Sequence, residues 1–406
     1  MLTRITITLA LVLVTSLAPL YGMVLAQAEV PARGSVDQGS TLLTAIQTAR
    51  AELQTRVDAE LANLKRKLKI VTSTSVAVPL VLAIWNSDLN LVTYHDFTKQ
   101  GIKLTPKASV PAQVRVRLDN GVNTEYEVVG GRGVVVGNIH PIFKSIGTAK
   151  RPRFSLEPAA YVPYSASLRL PALVVAGEAY LDRNVQAVFA ELRANGVRSL
   201  AYPHKLLADI IAAPLVKSII AIEHVSATSL LKGDSSEYLD KFYITLATNE
   251  HRAYAYSRST AQARGIVQFI PATYKSLQKL QPALLLTKDF QLGMEDPFNA
   301  IKAQVALLDY NITLLPKAVR DESESDAKSL GAYLAAMYNG GSTRIRKAIA
   351  AWGKAWSIDH TLAYAKAKSE ISSATAAIKR VQTALKKKGI TTADKAKLNL
   401  ELAKER

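Results

Sequence analysis

The sequence contains no cysteine, and this absence excludes several classes of site. Without cysteine there is no disulfide framework, no thiolate zinc site, no cysteine nucleophile and no lipid-modified cysteine. The six histidines are scattered and no HExxH motif occurs among them. We therefore expect neither a metal centre nor a cofactor.

Acidic residues are also in deficit, since 33 Asp and Glu face 51 Lys and Arg and give a formal charge of +18. Such an excess favours an anionic partner, which could be nucleic acid, a membrane surface or an anionic cell wall. Hydrophobic residues make up 49% of the 406 positions, enough for a packed core. This length accommodates two or three domains of ordinary size.

The first 28 residues look like an export signal. Arg4 precedes a mostly apolar run, and Ala26-Gln27-Ala28 supplies the small-x-small pattern of a signal-peptidase site. The apolar stretch is also just long enough to serve as an uncleaved membrane anchor. Both alternatives place residues 29–406 outside the cytoplasm, in the periplasm, the cell wall or the medium, and both argue against nucleic acid as a partner.

Two segments follow with different periodicities. Apolar residues recur mostly at intervals of three and four between Gln38 and Lys69, which predicts a long amphipathic helix within residues 35–70. That stripe fits either self-association with another copy or docking on the protein's own body. Residues 71–165 alternate with a period of two around glycine-containing turns, which predicts a small β-rich module with no visible chemistry.

The chain beyond residue 180 is helical and rich in alanine and leucine, and it carries the candidate chemistry. An apolar helix, Pro214–His224, ends on Glu223. A carboxyl in the last turn of such a helix lies near the negative end of the helix dipole and partly out of water. Both effects favour the protonated form that a general acid needs. Three further segments follow in order: Gly265–Thr273, Asp296–Ile301 and Ala336–Gly341.

These four segments resemble the lytic transglycosylases, whose signatures are an apolar helix ending in Glu, then G-h-x-Q-h-x-P-x-[ST], D-P-x-x-x-I and A-x-Y-N-x-G. The resemblance covers roughly residues 206–364, where His360–Tyr364 is a weaker echo of a fifth signature, E-T-x-x-Y, with His in place of Glu. It implies a mainly α, lysozyme-like catalytic domain over residues 180–365, preceded by the long helix and the β-rich module. Residues 366–406 are predicted to form a C-terminal helical hairpin.

The resemblance implies that the protein binds peptidoglycan glycan strands and cleaves their β-1,4 bond between N-acetylmuramic acid and N-acetylglucosamine. One Glu would protonate the leaving oxygen and then, as a carboxylate, accept the proton of the muramic C6 hydroxyl. The product would be a 1,6-anhydro ring, and the substrate's acetamido group would take the place of a second carboxylate.

Two residues are candidates for this Glu. Glu250 stands 18 positions before Gln268, the spacing of the commonest branch of the family. Glu223 stands 45 positions before Gln268, in the direction of the B-type membrane-bound branch, where more helical structure intervenes. The helix before Glu223 matches the catalytic helix better, so we predict Glu223 and keep Glu250 as the alternative.

The remaining site residues are carried over from the same motifs. Gln268 and Phe269 are expected to line the glycan groove, and Tyr338 and Asn339 to orient the acid or the acetamido group. Tyr364 is expected to help hold the muramic unit. Two other functions fit the same residues: a goose-type-lysozyme-like muramidase that uses water, and a catalytically inactive scaffold that binds the cell wall.

Overall fold

The computed structural model describes most of the chain from residue 38 to residue 356. The described residues are 38–64, 70–110, 113–130, 133–146, 151–225, 235–259, 261–323, 326–353 and 356. They belong to two compact units, one made of the described residues up to 313 and one made of the described residues from 314 onward. The predicted export signal, residues 1–28, and the predicted hairpin, residues 366–406, lie outside the described residues.

The first helix, α1 (Gln38–Leu64), confirms the predicted long helix as far as Leu64. Its apolar stripe is buried against the protein's own sheet and helices. The buried members are Leu42, Ala45, Ile46, Ala49, Leu53 and Val57. Because this stripe is already covered, the structure does not support self-association through it. The packing follows the second sequence-based alternative, docking on the protein's own body.

The β-rich module is a half-barrel built on a six-stranded antiparallel sheet in the order β1-β8-β7-β2-β3-β4. Its strands are β1 (Ile70–Val71), β2 (Val78–Asn86), β3 (Leu91–Gln100), β4 (Lys103–Pro106), β7 (Gly133–Ser145) and β8 (Phe154–Tyr161). A separate hairpin consists of β5 (Gln113–Leu118) and β6 (Glu125–Val129). The module predicted from the alternating pattern is therefore confirmed.

The central strand β2 explains why its sequence is apolar without interruption. Ala83 and Trp85 face the core under α1, whereas Leu82 and Ile84 face a second core that is closed by Tyr126 of β6. A strand covered on both faces buries every side chain, so its sequence loses the alternation of apolar and polar residues that a half-exposed strand shows.

The helical part of the first unit surrounds one buried helix. Its helices are α2 (Pro171–Ala194), α3 (Leu207–Ile210), α4 (Ala213–His224), α5 (Ser235–Asn249), α6 (Pro271–Leu280), α7 (Phe290–Glu295) and α8 (Pro297–Thr313). Helix α8 is buried on nearly all sides and contacts α2, α3, α4, α6 and α7. Asp296 caps it, since its Oδ1 accepts the N–H of Phe298 at 3.0 Å. Asp296 is therefore the N-cap of α8.

The β-rich module and these helices share one core. Ile244 of α5 and Leu173 of α2 belong to the same apolar cluster as α1 and the sheet. Asn249, at the end of α5, accepts the backbone N–H of Val162 at 2.8 Å and donates to its carbonyl oxygen at 2.9 Å. The sheet is therefore fixed to the helices by buried apolar contacts and by a two-way hydrogen bond.

The second unit consists of α9 (Lys317–Ser323), α10 (Ala327–Gly340) and α11 (Ser342–Trp352). Asp326 caps α10 by accepting the N–H groups of Lys328 and Ser329. Tyr333 stacks on Trp356 with ring centroids 4.5 Å apart. Among the described helices of both units, none has the length and apolar character needed to cross a bilayer.

Candidate active site

A cavity of about 760 Å³ lies between the sheet and the helices of the first unit. Glu223 and His224, the last two residues of α4, form part of its wall together with Gln268. The opposite wall comes from the β-rich module. The cavity therefore contains the predicted acid and one predicted substrate-binding residue, and it depends on the module for its other side.

Glu223 is positioned by the packing of α4. Val216, Ile219 and Ile220 of this helix are fully buried, and the Val216 carbonyl accepts the Nε2 amide of Gln304 on the central helix α8 at 3.3 Å. This anchoring holds the C-terminal end of α4 at the cavity, where Glu223 is only partly exposed. Burial raises the pKa of the Glu223 carboxyl from its ordinary value of 4.5 to about 8.

His224 connects the end of α4 to the segment that carries Gln268. Its Nε2 lies 2.8 Å from the carbonyl oxygen of Ile266, so this nitrogen carries the proton and donates it. The ring stacks on Tyr254 with centroids 3.7 Å apart. Burial lowers the pKa of His224 to about 4, so the ring is neutral near pH 7. A neutral His224 therefore fixes Glu223 relative to the Gln268 turn.

That turn is a tight hairpin in which Arg264 and Phe269 exchange both backbone hydrogen bonds. Gly265 is required there, since its φ is +71° and an added Cβ would collide with the carbonyl of Met294 on α7. Gln268 also has a positive φ, +49°, and it lies three residues before Pro271, the first residue of α6.

The amide of Gln268 is oriented by the hairpin itself. Its Nε2 donates to the Ser257 hydroxyl and to the Gly265 carbonyl oxygen, both at 2.8 Å. Since the hydrogens of the amide are used inside the hairpin, the carbonyl oxygen Oε1 is the atom that can serve a ligand in the cavity. The geometry therefore favours an acceptor at this position.

Phe269 does not line the groove. The side chain is 3% exposed and lies behind the cavity wall, in the core. The predicted role of Phe269 as a stacking or apolar wall for the glycan is therefore wrong for this arrangement. The physical reason is the tight turn: Gln268 has a positive φ and Phe269 pairs with Arg264, so the two adjacent side chains separate, Gln268 to the cavity and Phe269 to the core.

Glu250 occupies different surroundings. It follows α5 with a φ of +49° and forms an ion pair with Arg50 of α1, Oε2 to Nη2 at 2.5 Å. Its side chain is 44% exposed and lines a second cavity, of about 500 Å³, between α1 and the end of α5. The two candidate acids therefore line different cavities, and Gln268 lines the one that contains Glu223.

The other predicted residues lie elsewhere in the chain. Tyr338 and Asn339 belong to the second unit, at the end of α10, where the Nδ2 amide of Asn339 donates to the carbonyl of Ala335 at 3.3 Å. Tyr364 lies outside the described residues. The roles of these three residues stay predictions. In the part of the chain that the structure describes, no cluster of His, Asp and Glu side chains could hold a metal ion.

No pattern in the sequence indicates that the β-rich module contributes to the site. Lys99, Asp119 and His140 all line the cavity that contains Glu223. The run Asp119-Asn120-Gly121 is typical of a turn, which by itself explains an Asp there. The signal that was available is His140, a polar residue among the apolar residues of β7, where an unpaired polar group would be costly.

Comparison with known proteins agrees with the resemblance noted in the sequence. Residues 233–361 match the family model of the transglycosylase SLT domain, consistent with a lytic transglycosylase of the lysozyme-like superfamily. The matched region includes Glu250, Gln268, Tyr338 and Asn339 and begins after Glu223. No match was found among curated proteins or among solved structures.

Proposed function

We propose that the protein is an exported peptidoglycan lytic transglycosylase in which Glu223 is the general acid and base. The observation that carries this proposal is that Glu223 and Gln268 line the same cavity. The pKa of Glu223 is raised to about 8, and the carbonyl oxygen Oε1 of Gln268 is available to a ligand. A general acid is most effective when its pKa lies near the working pH, and Glu223 is mostly protonated at pH 7. The match to the SLT domain supplies the substrate class, peptidoglycan.

In the proposed reaction, the protonated Glu223 donates to the oxygen that leaves in the glycosidic cleavage. The resulting carboxylate then accepts the proton of the muramic C6 hydroxyl, whose oxygen closes the 1,6-anhydro ring. The substrate's acetamido oxygen stabilises the sugar cation in between, which removes the need for a second carboxylate. Gln268 Oε1 is suited to accept the acetamido N–H, which would orient that group for this role.

Glu250 is the competing assignment, and two observations favour it. It lies inside the region matched by the family model, and its distance along the chain to Gln268 is 18 residues. Against it stand its ion pair with Arg50 and its place in a cavity that Gln268 does not line. We weigh spatial arrangement above spacing along the chain, because proton transfer requires the acid and the substrate to be within hydrogen-bond reach.

Export is the second part of the proposal. Residues 1–28 carry the pattern of a signal peptide or anchor, and peptidoglycan lies outside the cytoplasmic membrane. The formal charge of +18 would hold the enzyme on anionic wall polymers, an attraction that salt screens. Protein in the cytoplasmic fraction of its own host, with none in the envelope or the medium, would contradict this part.

The decisive experiment incubates the full chain with isolated sacculi and identifies the released muropeptides by mass spectrometry. Wild type is compared with Glu223→Gln and Glu250→Gln. We expect 1,6-anhydro-muropeptides from wild type and Glu250→Gln and none from Glu223→Gln. Loss of the products only in Glu250→Gln would support the function and identify Glu250 as the acid. Hydrated products would indicate a muramidase, and sacculus binding without any product would indicate an inactive scaffold.

A further inference from the structure

The cavity wall opposite Glu223 carries a polar cluster of three side chains, Lys99, Asp119 and His140, here called the β-wall cluster. Lys99 lies on β3 and is 4% exposed, and its Nζ donates to Asp119 Oδ1 at 2.5 Å. His140 lies on β7 and is 5% exposed. Strands β3 and β7 both pair with β2, which brings these side chains to the same side of the sheet although 41 residues separate them.

His140 presents an unused acceptor. Its Nδ1 lies 2.9 Å from the carbonyl oxygen of Pro141, so Nδ1 carries the proton and the lone pair is on Nε2. Burial and the nearby Lys99 lower the pKa of His140 to about 4, which keeps the ring neutral. Nε2 is buried and has no hydrogen-bond partner among the described residues. Buried polar atoms are normally paired, so a lone one beside a cavity indicates a missing ligand donor.

A purely structural role explains only part of this arrangement. The Lys99–Asp119 ion pair does fasten the β5–β6 hairpin to the sheet, and Thr124 adds a weak contact to Asp119 at 3.4 Å. It does not explain why a charged pair and an orphaned acceptor stand together on the wall of the cavity that holds Glu223. An apolar wall would fasten the hairpin without burying a charge.

The β-wall cluster contains both hydrogen-bond donors and hydrogen-bond acceptors. Lys99 has ammonium hydrogens beyond the one donated to Asp119, whereas Asp119 and His140 Nε2 are acceptors. The cationic Lys99 favours an anionic group, so a matching ligand presents a carboxylate next to an N–H. In peptidoglycan the sugars carry neutral hydroxyl and acetamide groups, whereas amide N–H groups in series and free carboxylates belong to the peptide stem on the muramic lactyl group.

We propose that the β-wall cluster binds the peptide stem of the muramyl residue whose glycosidic bond is cleaved, so that the β-rich module selects strands that still carry stems. Lys99 binds a stem carboxylate in a charge-assisted hydrogen bond, and His140 accepts a stem amide N–H. The choice of peptidoglycan as the ligand source rests on the proposed function. The donor and acceptor pattern that selects a peptide rests on the cluster alone.

A binding measurement tests the cluster without catalysis. N-acetylmuramyl-pentapeptide is titrated calorimetrically into the full chain beside N-acetylmuramic acid and chitotetraose. We expect the pentapeptide to bind at least about tenfold more tightly than N-acetylmuramic acid, one good charge-assisted contact being worth that factor. Equal affinity for the two muramyl compounds would overturn the proposal.

Two variants locate the effect. Lys99→Met keeps the apolar stem of the side chain, and His140→Asn keeps an amide near Nδ1 while removing the Nε2 acceptor. Each should lose about tenfold in pentapeptide affinity with chitotetraose binding unchanged, and His140→Gln should restore part of the loss. Lys103→Met, an exposed lysine on β4, is the matched control. An unchanged pentapeptide affinity in folded variants would overturn the proposal, and His140→Leu serves as a second variant if His140→Asn does not fold.

Cleavage assays separate this proposal from the function on which it rests. Intact sacculi are compared with glycan strands stripped of stems by an amidase. We expect wild type to prefer the intact strands and Lys99→Met to lose that preference. Cleavage of both substrates at the same rate would contradict the stem-binding site and would still support the proposed transglycosylase function. If the variants lose pentapeptide binding but the wild type cleaves no glycan, the stem-binding site is supported and the transglycosylase function is contradicted.

Discussion

Replacing Glu223 with glutamine removes a titrating carboxyl and keeps the size of the side chain, so the variant should gain stability as it loses activity. The carboxyl has a pKa of about 8 in the folded protein and an ordinary value of 4.5. The folded state therefore binds the proton over a pH range in which the unfolded state has released it. Stability contributed by this proton is complete below about pH 4.5 and is lost as the pH rises to about 8.

The magnitude follows from the two pKa values. Each tenfold change in proton affinity corresponds to about 1.4 kcal/mol. Compared with a carboxyl that keeps its ordinary pKa, Glu223 lowers the free energy of unfolding by up to about 5 kcal/mol above pH 8 and by up to about 3 kcal/mol at pH 7. Glutamine carries no such cost, so the free energy of unfolding of Glu223→Gln should exceed that of wild type by these amounts and by almost nothing at pH 4.

Urea unfolding at pH 4, 7 and 9, followed by tryptophan fluorescence, measures the difference. Trp85 of β2 is buried in the first unit and reports on its unfolding. Glu60→Gln, an exposed position on α1, is the matched control and should show no comparable trend. Wild-type activity should fall about tenfold from pH 7 to pH 9 as the acid deprotonates. A stability difference that does not change with pH would refute the argument from burial.

Three further changes test the rest of the arrangement by thermal or urea unfolding. Gly265→Ala should destabilise the protein by several kcal/mol, because it adds a backbone clash to a positive φ. The control Gly130→Ala, at φ +70° in open space, should cost about 1 kcal/mol. Equal costs for the two substitutions would contradict the predicted clash. Leu53→Ala should cost about 2–5 kcal/mol without changing the elution volume in size-exclusion chromatography, since α1 docks within its own chain. Arg50→Ala should change stability by at most about 1 kcal/mol and leave cleavage intact, because its ion pair with Glu250 is exposed; loss of cleavage would point to Glu250 as the acid.

The features that the sequence predicted correctly are local ones. The spacing of apolar residues in α1 and the apolar run before Glu223 each lie within a single helix, so periodicity alone defines them. The β-rich module was equally predictable from its alternation and turns. A stripe on α1 shows that a face is buried, however, and carries no information on the partner that buries it. Only the structure shows that the partner is the protein's own sheet.

The β-wall cluster was beyond such patterns for a physical reason. Lys99, Asp119 and His140 stand about 20 residues apart from one another in sequence order, and they meet only through strand pairing around β2. Asp119 precedes Asn120-Gly121, where a turn already explains an Asp. Phe269 illustrates the opposite error, since the motif placed it beside Gln268 in a groove, whereas the tight turn at Gln268 directs it into the core.

The two candidate acids show why residue spacing and spatial arrangement diverge in this chain. Helix α5 lies between Glu223 and Glu250 in the sequence and packs on α2. The end of α4 and the Gln268 hairpin are joined without α5: His224 hydrogen-bonds to the Ile266 carbonyl, and the Ser257 hydroxyl accepts the amide of Gln268. Helix α5 therefore lengthens the chain between Glu223 and the Gln268 hairpin without separating them in space. Because Glu250 follows α5, a count of 18 residues back from Gln268 reaches a carboxyl in a different cavity, and the candidate acid that shares the cavity with Gln268 stands 27 residues earlier.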